Sequence, residues 1–155
     1  MFLPGFGAYV RWNAAGVSSR ARALVSLAGP LAGACGAAFC GLMGLQTQNR
    51  LWAALAGFSA LINLMNLIPV WQLDGGQALV AIDRTDRIVI ALAAIAVAAY
   101  FSQPLLLLVA GGAVYRSFDK DPPDESARSH GITAYFIALL VVLGYLAKLI
   151  PAVAG

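Results

Sequence analysis

Charge is scarce in this chain of 155 residues: Asp, Glu, Lys and Arg make up 11% of it, whereas hydrophobic residues make up 61%. Soluble domains are usually about 25% charged and roughly 45 to 50% apolar. The apolar residues also lie in long blocks, not at the spacing of a half-buried helix or strand. The composition therefore excludes an ordinary water-soluble domain and predicts an integral membrane protein surrounded by the lipid bilayer.

Cysteine is nearly absent, and long basic tracts are absent. Cys35 and Cys40 lie in one apolar block, where helical spacing places their Cα atoms about 8 to 9 Å apart, beyond the roughly 7 Å limit for a disulfide. Ten Lys and Arg against seven Asp and Glu give a net charge of +3, spread between the apolar blocks. This distribution argues against nucleic acid as a partner and indicates that the charges set membrane topology.

Four apolar blocks cover residues 24–45, 51–69, 88–114 and 132–152. The segment before them, residues 1–23, is broken by Gly and Pro and predicts an interfacial loop or short strand. It lacks the order of a secretory signal, in which positive charge precedes an uninterrupted apolar stretch. As a helix the first block is about 33 Å long, enough to cross a hydrocarbon core of roughly 30 Å.

The third block is interrupted by Ser102, Gln103 and Pro104, so it forms either one kinked helix or a hairpin of two short helices of about 15 and 11 residues. A hairpin places eight of the ten Lys and Arg on one side of the membrane, with Arg50 and Lys148 on the other; a single crossing divides them six against four. The stronger bias favours the hairpin.

The expected fold is therefore an all-α, polytopic bundle of about five hydrophobic helices, one short hairpin included, in a single membrane domain spanning residues 1–155. Residues 117–131, with the charged segment DKDPPDE, form a polar loop, and residues 132–155 form the last span. Small residues recur every four positions in the first block and predict a face for close helix packing. They are Gly29, Gly33, Ala37 and Gly41.

Asp74 is the polar residue that a purely structural role explains least well. A carboxylate at the end of a spanning segment is costly to desolvate, so such residues usually face protein or a water-filled cavity and are functional candidates. A structural alternative makes Asp74 the N-cap of a helix that begins near Gly75. A similar alternative makes Asn66 a buried amide bonded to a neighbouring carbonyl.

The string NLMNLIPVWQLDGGQAL, residues 63–79, resembles the second signature of the site-2 protease family, whose members are intramembrane zinc metalloproteases. The matching residues are Asn66, Pro69, Leu73, Asp74, Gly75 and Gly76. LPGFGAYVR and SLAGPLAGA are similar to the family's glycine-rich segment and to its small-residue third helix. The family's core would then cover residues 24–116.

This resemblance implies that Asp74 is the third zinc ligand and that Asn66 helps to position or polarise the scissile carbonyl. The family's substrates are transmembrane proteins, and the expected location is a prokaryotic cell membrane. The positive-inside rule predicts that Asp74 lies toward the cytoplasmic side of this membrane.

The sequence departs from the family in one respect. The family's first signature is a helical HExxH, whose two His bind zinc while the Glu activates the metal-bound water. Here the only His is His130 and the only Glu is Glu125, both in the predicted polar loop. Zn²⁺ would need two His encoded upstream, so we expect a chain that is truncated before its HExxH helix and inactive alone.

Two other functions stay open. A non-catalytic membrane scaffold or pseudoprotease would keep the fold and bind transmembrane helices through its small residues. A small transporter subunit would use Asp74 and nearby amides as a polar site at a broken helix. The sequence makes no prediction of oligomeric state.

Overall fold

A computed structural model of the chain describes residues 18–119 and 130–148, and the backbone of residues 2–3 and 7–8. Six helices form the described part; they are α1 (Ser19–Thr47), α2 (Arg50–Asn66), α3 (Asp74–Leu79), α4 (Arg84–Phe101), α5 (Leu105–Ser117) and α6 (His130–Ala147). The prediction of an all-α fold is confirmed. A short antiparallel pair, β1 (Phe2–Leu3) with β2 (Gly7–Ala8), lies in the segment predicted as a loop or short strand. Most of the charged segment DKDPPDE lies outside the described residues.

Polar N-caps start two helices about one turn earlier than the apolar blocks predict. The Ser18 side chain accepts a hydrogen bond from the Ala21 N–H at 3.2 Å, so residues 19–23 belong to α1 and not to the N-terminal loop. Asp83 caps α4 in the same way through the N–H of Asp86 at 2.8 Å. Hydropathy misses these turns because the first turn of each helix is polar.

The third apolar block forms two helices, α4 and α5, which pack against each other. Ser102 ends α4 in a left-handed conformation, with φ at 57°, and its N–H donates to the carbonyl of Ala98. An α-helix does not continue through such a residue, so the structure excludes the kinked-helix interpretation. The two helices have 18 and 13 residues, somewhat longer than the sequence predicts.

The five longer helices alternate in direction. His130 at the start of α6 contacts Asp86 at the start of α4, whereas the rings of Phe101 and Tyr145, at the far ends of those helices, lie 6.1 Å apart. Helix α3 lies at the end of the bundle where α4 and α6 begin, and we call this end the Asp74 end. The starts of α1, α4 and α6 and the ends of α2 and α5 lie toward it.

Helix α6 is the centre of the bundle, because it packs against α1, α2 and α4. Its Phe136, Leu140 and Leu143 are fully buried. Gly144 allows the close approach to α4, since a Cβ there would lie 3.2 Å from the ring of Phe101. Helix α6 therefore joins the α1–α2 pair to the α4–α5 pair and does not merely close one side of the bundle.

Two of the described helices, α1 and α6, are long and apolar enough to cross a membrane, against the five or so that the sequence predicts. The others fail this criterion for physical reasons. Helices α2 and α5 have 17 and 13 residues, which correspond to about 25 and 20 Å. Helix α4 has enough residues but carries Arg84, Asp86 and Arg87 in its first turn.

Candidate active site

The segment between α2 and α3, residues 67–73, is a compact turn. The Val70 N–H donates to the carbonyl of Ile68 at 2.8 Å, and the Leu73 N–H donates to the carbonyl of Val70 at 3.2 Å. Pro69 is buried and has no N–H to satisfy, so it fits a position just after the end of a helix. The turn sends the chain directly from α2 into α3.

Gly75 and Gly76 allow α3 to lie on this turn, and both are buried. A Cβ on Gly75 would overlap the carbonyl group of Leu67. A Cβ on Gly76 would lie 3.0 Å from the carbonyl oxygen of Trp71. The glycine pair of the motif therefore serves the close approach of two backbone segments, and this approach sets the position of the residue before it, Asp74.

Asp74 is the first residue of α3, and its carboxylate lies against α1. A Cβ on Gly29 of α1 would come within 3.3 Å of Asp74 Oδ2. Leu73, not Asp74, occupies the N-cap position, and no side chain caps α3. The N-cap alternative is therefore wrong. Among the described residues no group donates a hydrogen bond to this carboxylate, and neither of its oxygens is sealed from solvent.

The electrostatics of Asp74 follow from this position. The side chain is half-buried. Desolvation disfavours the charged form of a carboxyl group, and no neighbouring cation offsets the effect in the described part of the chain. A carboxylate held in place without a partner is suited to binding a cation supplied from outside.

Asn66 and Asn63, both on α2, have different environments. Asn63 Nδ2 donates to the carbonyl of Ser59 at 2.8 Å, and the Asn63 side chain packs on Gly33 of α1. Asn66 is the last residue of α2, is half-buried, and forms no side-chain hydrogen bond with the residues described here. The amide bonded to a neighbouring carbonyl is therefore that of Asn63, whereas the Asn66 amide has no hydrogen-bond partner among the described residues.

The small residues of α1 lie along its contact with α2 and α3. Gly29 lies beside Asp74, and Gly33 lies beside Asn63. Farther along the helix, Ala37 is buried and Gly41 is half-buried. Small side chains allow α1 to approach the end of α2 closely enough to border the carboxylate.

Sequence reasoning missed a second polar cluster, which lies where α4 begins. Asp86 and Arg87 are both buried, with exposures of 8% and 5%. Arg87 Nε donates to the carbonyl of Leu79 at 3.1 Å, and its Nη1 donates to the carbonyl of Arg116 at 2.6 Å. One guanidinium therefore joins the last turns of α3 and α5, and it holds the helix that carries Asp74.

Asp86 completes this cluster by joining α4 to α6. Its Oδ2 accepts a hydrogen bond from Thr133 Oγ1 at 2.9 Å and lies 3.1 Å from His130 Nδ1. His130 is the first residue of α6 and not a loop residue, so that prediction is wrong. The signal was present, because an Asp–Arg pair next to an apolar block raises the same desolvation problem as Asp74.

Arg87→Met is expected to lower the free energy of unfolding by about 2 kcal/mol, because it leaves two carbonyl groups without their buried donor. Arg84, on the same helix, is exposed and is the matched control. Arg84→Met should change stability by less than about 0.5 kcal/mol. Unfolding of both variants in mixed detergent micelles measures the difference, and equal losses would contradict the bridging role of Arg87.

The described residues do not form a zinc site by themselves. Residues 18–119 and 130–148 contain no group of three or more His, Cys, Asp or Glu placed to share a metal ion. A catalytic zinc needs three protein ligands, and Asp74 offers one. His130 contacts a different carboxylate, that of Asp86. Zinc would fit here only with two ligands from outside the described part of the chain.

The structure thus brings the motif residues together around one turn, with Gly29 of α1 beside Asp74 and Gly33 of α1 beside Asn63. The resemblance to the site-2 protease family rests on the sequence motifs alone. Comparisons of the chain with protein-family models, with curated proteins and with solved structures return no match.

Proposed function

We propose that the chain is a multi-pass membrane protein in which α1, α2, α4, α5 and α6 all lie in the bilayer. The support is the apolar outer surface of the bundle, which extends beyond α1 and α6, the two described helices long and apolar enough to cross a membrane. Phe58 of α2, Leu92 of α4 and Leu108 of α5 are each about 60% exposed. Soluble monomers rarely expose contiguous apolar surface of this kind. Locally thinned bilayer accommodates the shorter helices.

The distribution of cations supports an orientation with the Asp74 end toward the cytoplasm of a prokaryotic cell. Five described cationic residues lie toward that end; they are Arg20, Arg22, Arg84, Arg87 and Arg116. Of the described cationic residues, only Arg50 and Lys148 lie toward the opposite end. The cytoplasmic side of a membrane protein usually carries the excess of Lys and Arg.

The orientation is tested by labelling single cysteines with a membrane-impermeant maleimide, after Cys35 and Cys40 are replaced by alanine. We expect Asp119→Cys to react from the cytoplasmic side and Gln48→Cys to react from the opposite side. Both positions are exposed, and they lie at opposite ends of the bundle. Inside-out and right-side-out vesicles distinguish the two sides. Labelling of both positions from one side would contradict the alternating helices.

We further propose that the site belongs to a site-2-protease-like zinc metallopeptidase that cleaves transmembrane proteins. One observation carries this proposal: a half-buried carboxylate lies beside α1, and no described residue donates a hydrogen bond to it or pairs with it. Gly29, which borders Asp74, lies five residues or about 8 Å inside the apolar part of α1 that begins at residue 24. A carboxylate held at that depth without a partner is expensive, and function is the usual reason for keeping one.

In this proposal each residue of the site has one task. Asp74 supplies a single metal ligand, and two imidazoles and a catalytic Glu come from a HExxH segment beyond the described residues. Asn66 donates a hydrogen bond from its free amide to the carbonyl of the substrate. Pro69 and the glycine pair hold the turn, and Leu73 leads it into α3. Gly29 leaves room beside the carboxylate for the partner ligands.

The zinc content of the purified protein tests the proposal. The chain as given is expected to hold no zinc, and the chain extended upstream in its own reading frame is expected to hold one zinc ion. Inductively coupled plasma mass spectrometry of both forms measures the metal. If neither form holds zinc, the peptidase proposal is wrong.

A non-catalytic scaffold is the second candidate function. One side of α1 exposes small residues, and a Cβ on Gly36 would meet nothing within 4 Å. Ala28 and Ala32 lie near it on the helix and are also exposed. Such a surface permits another transmembrane helix to approach closely. A protein that holds no zinc in either form but retains a helical partner through this surface would be a scaffold.

A further inference from the structure

Trp71, in the turn before α3, combines high exposure with a strained backbone. Its side chain is 89% exposed, the largest value among the exposed large hydrophobic residues, and its φ is 45°. A left-handed conformation costs a non-glycine residue about 1 kcal/mol or more. The ring contacts found among the described aromatic residues do not include Trp71. No aromatic contact within the described chain offsets the strain.

The outward position of the indole is a property of the fold and not of a loose loop. On one side, α3 packs against the turn, because a Cβ on Gly76 would lie only 3.0 Å from the carbonyl oxygen of Trp71. On the other side, Pro69 packs on α5, because a Cβ on Gly112 of that helix would lie 2.8 Å from Pro69 Cδ. Both glycines are buried. Packing against α3 and α5 therefore holds the turn with its indole pointing away from the bundle.

Neighbouring contacts give the depth of the turn. Gly112 lies four residues, or about 6 Å, before Arg116 along α5. Gly29, beside Asp74, lies five residues, or about 8 Å, inside the apolar part of α1 that begins at residue 24. The turn is thus slightly below the level of the charged helix ends and above the apolar middle of the bundle.

Other exposed aromatic side chains occur at both ends of the bundle. Near the Asp74 end, Tyr115 and Phe118 are each 71% exposed. At the opposite end, Tyr100 and Tyr145 are exposed as well. Tyr and Trp are enriched at the two interfaces of a membrane, where the apolar ring lies among acyl chains and the polar atom reaches the headgroups. This pattern favours phospholipid as the substance that covers Trp71.

We propose that Trp71 anchors the α2–α3 turn in the bilayer, at the boundary between phospholipid headgroups and acyl chains. The anchor rests on the membrane insertion proposed above and does not depend on zinc or peptidase activity. Because Asp74 follows three residues later, the anchor also sets how far below the headgroups the carboxylate lies. Trp71 is therefore a positioning residue and takes no part in chemistry.

The test uses the fluorescence of a single tryptophan in the full chain reconstituted into phosphatidylcholine vesicles. Replacing Trp12 and Trp52 by phenylalanine leaves Trp71 as the only indole. The vesicles contain lipids brominated either near the headgroup or near the chain ends, so quenching by bromine reports the depth of the indole. Quenching by iodide in the buffer reports the exposure of the indole to water. The matched control keeps Trp52, which lies 6.4 Å from the ring of Phe39 and is partly buried, and replaces Trp12 and Trp71.

We expect a blue-shifted emission from Trp71 that loses more intensity with shallow than with deep bromines and is protected from iodide. Red-shifted emission that iodide quenches and bromines do not would overturn the anchor, since the indole would be in water. Blue-shifted emission that neither quencher reduces would also overturn it, because protein would then cover the ring. Extraction of the chain from membranes by alkaline carbonate would instead reject the membrane insertion itself.

Discussion

Asp74→Ala is expected to remove all zinc from the upstream-extended chain and to abolish any cleavage of transmembrane substrates. With the carboxylate gone, two imidazoles remain, fewer than the three protein ligands that a catalytic zinc requires. The substitution should fold normally, because Asp74 neither caps α3 nor accepts a hydrogen bond from a described residue. Metal content and the unfolding transition are measured on the same preparation.

Two control variants make this result specific. Asp119→Ala removes an exposed carboxylate that pairs with Arg116 at 2.8 Å near the same end, and it should leave zinc unchanged. Asn66→Ala should retain zinc and lose cleavage, since this amide is proposed to contact the substrate and not the metal. Full zinc occupancy in the Asp74→Ala protein would refute its role as a ligand, whatever the activity.

Gly75→Ala is expected to lower the free energy of unfolding by about 3 kcal/mol, at the upper end of the usual cost of overpacking. The added Cβ would overlap the carbonyl group of Leu67, and a backbone carbonyl cannot rotate away as a flexible side chain does. Helix α3 must move off the end of α2, and Asp74 moves with it. The same variant of the upstream-extended chain should therefore bind zinc more weakly.

Two other glycines provide the controls for this prediction. A Cβ on Gly36 of α1 or on Gly111 of α5 would meet nothing within 4 Å. Alanine at either position should leave stability unchanged or raise it by up to about 1 kcal/mol, because glycine disfavours the interior of a helix. Denaturation in mixed micelles compares the three variants. A loss at Gly75 no larger than at Gly111 would mean that the turn tolerates displacement.

The sequence predicted the elements of this site better than their surroundings. The cost of a carboxylate beside an apolar block singled out Asp74, and residue type singled out the glycine pair. The sequence left open whether Asp74 was merely the N-cap of a helix, because the identity of the N-cap depends on where α3 begins. The observed N-cap, Leu73, is decided by the packing of the glycine pair against the turn, which no local pattern reveals.

The role of His130 was not predictable from its neighbours in the chain. The polar residues before it suggested a loop, yet it begins α6 and contacts Asp86, forty-four positions earlier. A second bond to the same carboxylate comes from Thr133. Such a pairing depends on which helices meet, so hydropathy and capping patterns do not contain it.

The sequence by itself determined that the chain is helical and apolar on its outside, because low charge, long apolar blocks and turn residues such as Pro104 act locally. Only the tertiary structure decided that α6 is the centre of the bundle and that Arg87 joins α3 to α5. It also decided that the Asp74 carboxylate lies against Gly29 without a partner among the described residues. These features depend on contacts between residues far apart in the chain. Their energies come from packing and desolvation in three dimensions, which composition and spacing do not specify.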